Sequence, residues 1–376
     1  MPELKMDNKT RLYPLDLLRG TLIVLMALDH ANFLIARQHS SGEYWGGSFP
    51  TFSSPLGFLT RFVTHLCAPG FFFLLGVSMV LFSSSRLKQG WSENKVRTHF
   101  LVRGLVLIAF QGLLNLNQVW AWSWSSAPRY YVGVLAALGA GMILSIPLLG
   151  LKPTYLALAA GGLFLGLELL SPEAALWGRN LDHMLGVLLI YGGGKAEFWV
   201  NYPLLAWLEV AVLGLWFGKL LTADADRAYR AAGRLGGIFM AGFTVLRLLN
   251  GFGNLRPLPL DDWQGFLSVV KYPPSLVFIL LTMGINLVAL WGLSLLPRAK
   301  LSPRNPLLVL GRTALFSYLG HIGIYIALGR LLTPAGSSLG VMYPLWILGL
   351  GILYLPAYWY SVFKSKQPSQ SWVRFV

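Results

Sequence analysis

The chain has 376 residues, 55% of them hydrophobic and 12% charged, with 30 Lys and Arg against 15 Asp and Glu. A soluble domain carries about 25% charged residues, so this composition excludes a soluble enzyme, a disordered chain and a collagen-like fibre. A formal charge of +15 on so apolar a chain reads as basic loops between membrane spans, with no nucleic-acid partner expected, and the lone cysteine, Cys67, permits no internal disulfide.

A spanning helix needs about 20 mostly apolar residues. Ten segments qualify: 15–36, 57–82, 100–117, 130–149, 154–170, 201–218, 235–250, 274–297, 306–328 and 341–363. The seventh is short. The polar start MPELKMDNKTR, with no small-residue cleavage site behind it, makes the first segment a retained span rather than a signal peptide. The segment 182–191 is too short to span alone and is placed in an interface; if it spans, the count becomes eleven and the topology behind it inverts.

Basic residues favour ten. Lys5, Lys9 and Arg11 precede the first span, and Arg86, Lys88, Lys95 and Arg97 follow the second. Lys152 follows the fourth, and Lys219, Arg227, Arg230 and Arg234 follow the sixth. Arg298, Lys300 and Arg304 follow the eighth, and Lys364, Lys366 and Arg374 the tenth. The alternate loops are poorer in Lys and Arg; they hold Glu43, Glu173, Asp261 and Asp262 and the aromatic run at 120–124. The positive-inside rule then puts both termini in the cytoplasm. The expected fold is an all-α polytopic membrane helix bundle of ten or eleven spans. It forms a single domain over 1–376, with short cytoplasmic tails at 1–14 and 364–376, in the plasma (inner) membrane. Gly162-x-x-x-Gly166 and Gly214-x-x-x-Gly218 are candidate close-packing faces without functional weight.

An ionisable side chain in a span costs about 2.5–3.5 kcal/mol at mid-membrane on insertion scales and is a functional candidate by default. In the first span Asp16 and Arg19, three apart, share a face and can pair. Arg19 and His30 are eleven apart, about three turns, so both point the same way roughly 16 Å apart along the axis. His30 is either a functional imidazole or a solvated residue at the interface. Asp29 stands beside it in sequence, but adjacent helical residues point about 100° apart, which favours pairing with an arginine of another helix. In the second span Arg61 and His65 share a face, and Pro69 can kink the helix. In the ninth, Thr313, Ser317 and His321 follow an i, i+4 spacing, with Tyr318 and Tyr325 flanking. The topology puts His30, His65 and His321 in the outer half. No H-x-x-x-H or cysteine pair exists, so no metal is expected.

These stretches together resemble the heparan-alpha-glucosaminide N-acetyltransferase catalytic-domain-like family, within the wider transmembrane acyltransferase superfamily. The resemblance is carried by Arg11 with LDLLRGTLIVLMALDHANF (15–33), by LTRFVTHLCAPGFFFLLGVS (59–78) and by NYPLLAWLEVAVLG (201–214). It continues in KYPPSLVFILLTMG (271–284), LGRTALFSYLGHIGIY (310–325) and the C-terminal YWYSVFKSKQPSQSWVRF. The family pattern has Pro where Ala206 stands and Gly where Glu209 stands. The lumenal extension of the lysosomal enzyme has no counterpart here, which weakens the case for heparan itself as substrate.

The resemblance implies an integral-membrane acyltransferase using cytoplasmic acyl-CoA, expected to be acetyl-CoA, and a sugar amine, hydroxyl or glycoconjugate acceptor on the outer side. The family's helix-one histidine falls on His30, with His65 and Asp29 grouped beside it as catalytic. Arg19, Arg61, Arg97, Arg103, Tyr272, Arg312, Tyr318 and His321 are the expected substrate- and cofactor-binding residues. Arg97 and Arg103 also fit plain positive-inside anchoring. Beyond the bilayer, a homodimer is an expected partner. Histidine, with a free pKa of about 6.5, suits the base that acyl transfer needs, and it could also carry the acyl group. A transporter or permease for a small polar solute is the alternative; its signature, an inverted repeat, is absent from the sequence.

Overall fold

The computed structural model describes residues 12–39, 43–44, 49–117, 119, 128, 130–171, 184–195, 197–258, 262–368 and 371. Lys5, Lys9 and Arg11, the aromatic run at 120–124, and Arg129, Glu173, Arg179, Asp261 and Arg374 lie outside these residues. Among the described residues nine helices are long and apolar enough to cross a membrane, and Val134–Gly150 is a shorter apolar helix. These ten fall one to one on the segments read from the sequence. The chain is a multi-pass, helical membrane protein.

The helices in order are α1 (Tyr13–Ala31), α2 (Pro55–Thr64), α3 (Cys67–Lys88), α4 (Glu93–Leu116), α5 (Val134–Ser145) and α6 (Pro153–Leu170). They continue with α7 (Leu204–Ala223), α8 (Ala225–Leu249), α9 (Trp263–Leu267), α10 (Leu276–Ser294), α11 (Pro306–Arg312), α12 (Ala314–Leu332) and α13 (Leu339–Lys366). Four expected segments differ in detail. The second is two helices, because the Pro69 ring clashes with the carbonyl four residues back, at His65, where α2 gives way to α3. The ninth is also two, broken at Thr313, whose Oγ1 turns back to Val309 O at 2.9 Å. The seventh is not short. Asp224 accepts the backbone N–H of Arg227 at 2.9 Å and starts α8 directly after α7, so Arg227, Arg230 and Arg234 ride on a helix rather than in a loop.

The fourth expected span begins with a strand. Tyr130–Val132 (β1) pairs in parallel with Phe198–Val200 (β3), which pairs antiparallel with Gly193–Lys195 (β2). Aromatic and β-branched residues favour the extended form there. The described part of 182–191 is a three-residue helical turn followed by the wider turn Val187–Tyr191; residues 182 and 183 lie outside the described set. Val187 and Tyr191 pack with Val200 and Val270 in a small core.

The chain divides into two compact units. One comprises Met1–Ser40, Phe52–Cys67 and Asn286–Val376, and the other Ser41–Thr51 and Ala68–Ile285. In the first, α1 packs on α2, α11, α12 and α13. Lipid is as apolar as a leucine side chain, so such contacts rest on close packing and polar bonds rather than on the hydrophobic effect. Gly20 and Gly311 permit the closest of them: a Cβ on Gly20 would run into the Leu307 carbonyl, and one on Gly311 into the Asp16 carbonyl. In the second unit α7 packs on α5, α6 and α8. Gly214 faces the Phe73 carbonyl of α3, whereas Gly162 and Gly166 face open space, so only the 214–218 pair packs closely.

Candidate active site

The first unit carries three polar clusters along α1. Near its C-terminal end, His30 Nδ1 lies 2.6 Å from His321 Nε2 of α12, and the rings stack with centroids 4.9 Å apart. His321 Nδ1 lies 2.7 Å from the Ser317 carbonyl. A carbonyl only accepts, so His321 carries its hydrogen on Nδ1 and, when neutral, offers Nε2 as an acceptor. His30 then donates from Nδ1, which puts its basic lone pair on Nε2. Tyr318 meets His30 and His321 edge-on at 5.9 and 5.5 Å, and Tyr325 meets His321 at 6.0 Å while donating its hydroxyl to Trp346 O at 3.0 Å. His321 is fully buried. The i, i+4 stripe continues below it, where the Thr313 and Ser317 hydroxyls lie 3.1 Å apart.

One residue earlier on α1, Asp29 anchors a second cluster. Its Oδ1 accepts from Arg61 Nη1 at 2.6 Å and from the Thr64 hydroxyl at 2.7 Å, both on α2. The arginine of another helix is therefore Arg61, which is only 2% exposed. Arg61 Nη1 also reaches His39 Nε2 at 2.7 Å. Guanidinium has no acceptor, so His39 accepts on Nε2 and carries its hydrogen on Nδ1. His65 caps α2 one residue beyond Thr64, is buried, and lies edge-on to Phe62 at 6.2 Å. Since Thr64 touches Asp29, the residue before His30, His65 sits at the level of the histidine pair.

At the N-terminal end of α1, Asp16 Oδ1 accepts from Arg19 Nη1 at 3.0 Å, and Asp16 Oδ2 lies 3.7 Å from Arg312 Nε. Arg19 also donates to Gly311 O at 3.3 Å, and Arg312 to Pro303 O at 3.4 Å. Two cations share one carboxylate, so the cluster keeps one positive charge. The Gly20 and Gly311 contact brings α11 close enough to α1 for this to form.

The structure thus gathers Arg19 with Arg312, Asp29 with Arg61, and His30 with His321 and Tyr318. Of the other four expected residues His65 lies in the same unit, and Arg97, Arg103 and Tyr272 belong to the other unit. Arg97 and Arg103 lie on α4, where Arg97 is exposed and pairs with Glu93 at 3.2 Å. Tyr272 is buried, stacks on Tyr44 at 5.0 Å and meets Tyr202 edge-on at 5.6 Å. Sequence reasoning missed His39 and Thr64. A histidine just past a span that ends in Asp-His was the available signal for His39. Among the described residues no group of three or more His, Cys, Asp or Glu is arranged around a common ion position.

The first unit of this multi-pass bundle thus carries a histidine pair joining two helices near one end of α1 and a cationic cluster near its other end. The family model described as heparan-alpha-glucosaminide N-acetyltransferase, catalytic, matches residues 11–247, and the chain belongs to that family of membrane acetyltransferases. The match takes in His30, His39, Arg61 and His65. It ends before Arg312 and His321, whose place rests on their contacts with α1. No curated protein matches the chain.

Proposed function

We propose that the chain, acting as one domain over 1–376, moves an acetyl group from cytoplasmic acetyl-CoA to a sugar amine or hydroxyl presented at the outer face of the inner membrane. The observation that carries this reading is the Ser317 carbonyl–His321–His30 chain of hydrogen bonds, whose His30 end shares a stripe of α1 with Arg19. Arg19 and Arg312 take the CoA phosphates. The pantetheine arm runs along α1 and presents the thioester carbon near His30, about three helical turns away, roughly 16 Å.

His30 Nε2 accepts the proton of the attacking N–H or O–H as the new bond to the acyl carbon forms. The positive charge on His30 is shared through Nδ1–H with His321, which the Ser317 carbonyl holds in the accepting tautomer. Arg61 and the Nδ1–H of His39 are donors for the oxyanion, which in a site shielded from water stabilise it far more than they would in bulk solvent. The intermediate collapses with cleavage of the carbon–sulfur bond, and His30 returns its proton to the CoA thiolate. Asp29 keeps Arg61 and Thr64 in place rather than touching the proton in flight.

The test is thiol release. Purified protein in detergent, given acetyl-CoA and a panel of amino sugars and sugar alcohols, should release CoA with at least one acceptor and yield an acetylated product by mass spectrometry. CoA binding with no transfer to any acceptor, together with solute uptake into vesicles, would replace this reading with the permease.

A further inference from the structure

A cavity of 310 Å³ opens in the second unit where the end of α3, the start of α4, the turn after α5 and the end of α7 meet. It lies at the termini of three membrane-spanning helices. Its walls are apolar at Val80, Leu87, Val96 and Leu149 and carry the cations Arg97 and Lys219 and one carboxylate, Glu93. Lys219 donates one N–H to Leu149 O at 2.8 Å, and an ammonium has three to give. Arg97 pairs with Glu93 at 3.2 Å, an exposed pair of small worth that leaves further guanidinium donors.

The surroundings add charge and fix the depth. The end of α3 carries Arg86 and Lys88 and the start of α4 carries Lys95, with Glu93 the only acid over residues 86–97. Trp91 lies in the same turn, with Arg86 5.3 Å and Lys95 4.5 Å from its ring. A tryptophan flanked by cations at the end of a span is characteristic of the headgroup level.

We propose that this cavity binds the phosphodiester headgroup of an anionic membrane lipid, with Arg97 and Lys219 on the phosphate and the glycerol and first acyl carbons against Val80, Leu87 and Val96. Inorganic phosphate shares the cationic chemistry but leaves the apolar wall unused. No aromatic ring is among the lining residues, so the cavity offers a nucleobase nothing to stack on. The site is independent of the acyl-transfer reading.

The test is thermal unfolding of the detergent-solubilised protein titrated with phosphatidylglycerol, phosphatidylcholine or inorganic phosphate, with bound lipid counted by native mass spectrometry. Phosphatidylglycerol should raise Tm by about 2–4 °C and remain bound, while the other two do neither. Arg97→Gln, at an exposed position, and Lys219→Gln, which keeps a donor for Leu149, should each weaken the response about fivefold, the worth of one cation near a lipid phosphate. Lys152→Gln removes a charge outside the cavity and should respond as the parent. An undiminished response in both Arg97→Gln and Lys219→Gln would overturn the proposal. So would an equal loss in Lys152→Gln, which would mean diffuse surface charge, or a full response to inorganic phosphate alone, which would mean a soluble anion site.

Discussion

A neutral histidine has one N–H, and the Ser317 carbonyl claims that of His321. Everything beyond it in the chain follows from that constraint, including which nitrogen of His30 is basic. Removing a general base costs a factor of about 10²–10⁴ in rate. His30→Ala should therefore lose transfer by that factor while binding acetyl-CoA as before. His321→Ala leaves the base but frees its tautomer, so kcat should fall by less, about tenfold to a hundredfold, with KM for acetyl-CoA held. In the parent, transfer should fall as pH drops, because protonated His30 has no lone pair to accept with. Thiol release across pH for the three proteins checks all of this; wild-type turnover in His30→Ala would move the base to His65 or His39. Asp29 makes a different prediction. Arg61 is buried and Asp29 half-buried, so removing the carboxylate strands a buried guanidinium, at a cost below the roughly 3–5 kcal/mol of a fully buried pair. Asp29→Ala should thus lower Tm by several degrees before any effect on rate is read, and a stable Asp29→Ala without activity would make Asp29 part of the chemistry instead.

The α1–α11 contact belongs to the scale of elements. Gly20 and Gly311 let two backbones touch, and the touch holds Arg19 and Arg312 on one carboxylate. A methyl group at Gly311 forces α11 away from Asp16. Gly311→Ala should lower Tm and acetyl-CoA affinity together, whereas Arg19→Ala should lower affinity, by calorimetry, with the fold intact. If Arg19→Ala bound acetyl-CoA as the parent does, Arg19 would be a plain partner of Asp16. Helical periodicity made this end of the site legible, since a spacing of three or eleven residues returns a side chain to the same face of α1. It could not reach His39. The wider turn Asn32–Ala36 and the left-handed Arg37, at φ 56°, take the chain out of the helix, and periodicity ends where the helix does. Nor did it show that Thr313 breaks the ninth segment, because Thr313, Ser317 and His321 keep the same spacing through α12. Which helix would meet the Asp29 carboxylate was also beyond it: Arg19, Arg61, Arg97, Arg103 and Arg312 were all available on charge alone. Distance decides for Arg61.

At the scale of the whole molecule, apolar length made the ten spans legible in number and order, although the seventh begins ten residues earlier than expected, at Ala225, and the small sheet was hidden inside the apolar segment that starts at Tyr130. The orientation is a prediction of its own. Reporter fusions after residues 45, 90, 225, 260, 300 and 335 should read outside, inside, inside, outside, inside and outside. The fusion at 225 is the decisive one, since it depends on whether the chain crosses between α6 and α7. The described helical residues there are three in Met184–Gly186 and five in Val187–Tyr191. At 1.5 Å per residue they cover about 12 Å, against a hydrocarbon core of about 30 Å. Val187 and Tyr191 pack on Val200 and Val270 of the same unit, whereas Met184 and Leu185 are exposed. Position 225 also begins α8, whose first turns carry Arg227, Arg230 and Arg234 just after Lys219 at the end of α7. Carrying those four cations across the bilayer would cost several kcal/mol each on insertion scales. An outside reading at 225 would require a crossing within 171–203 and would invert the orientation of everything behind it.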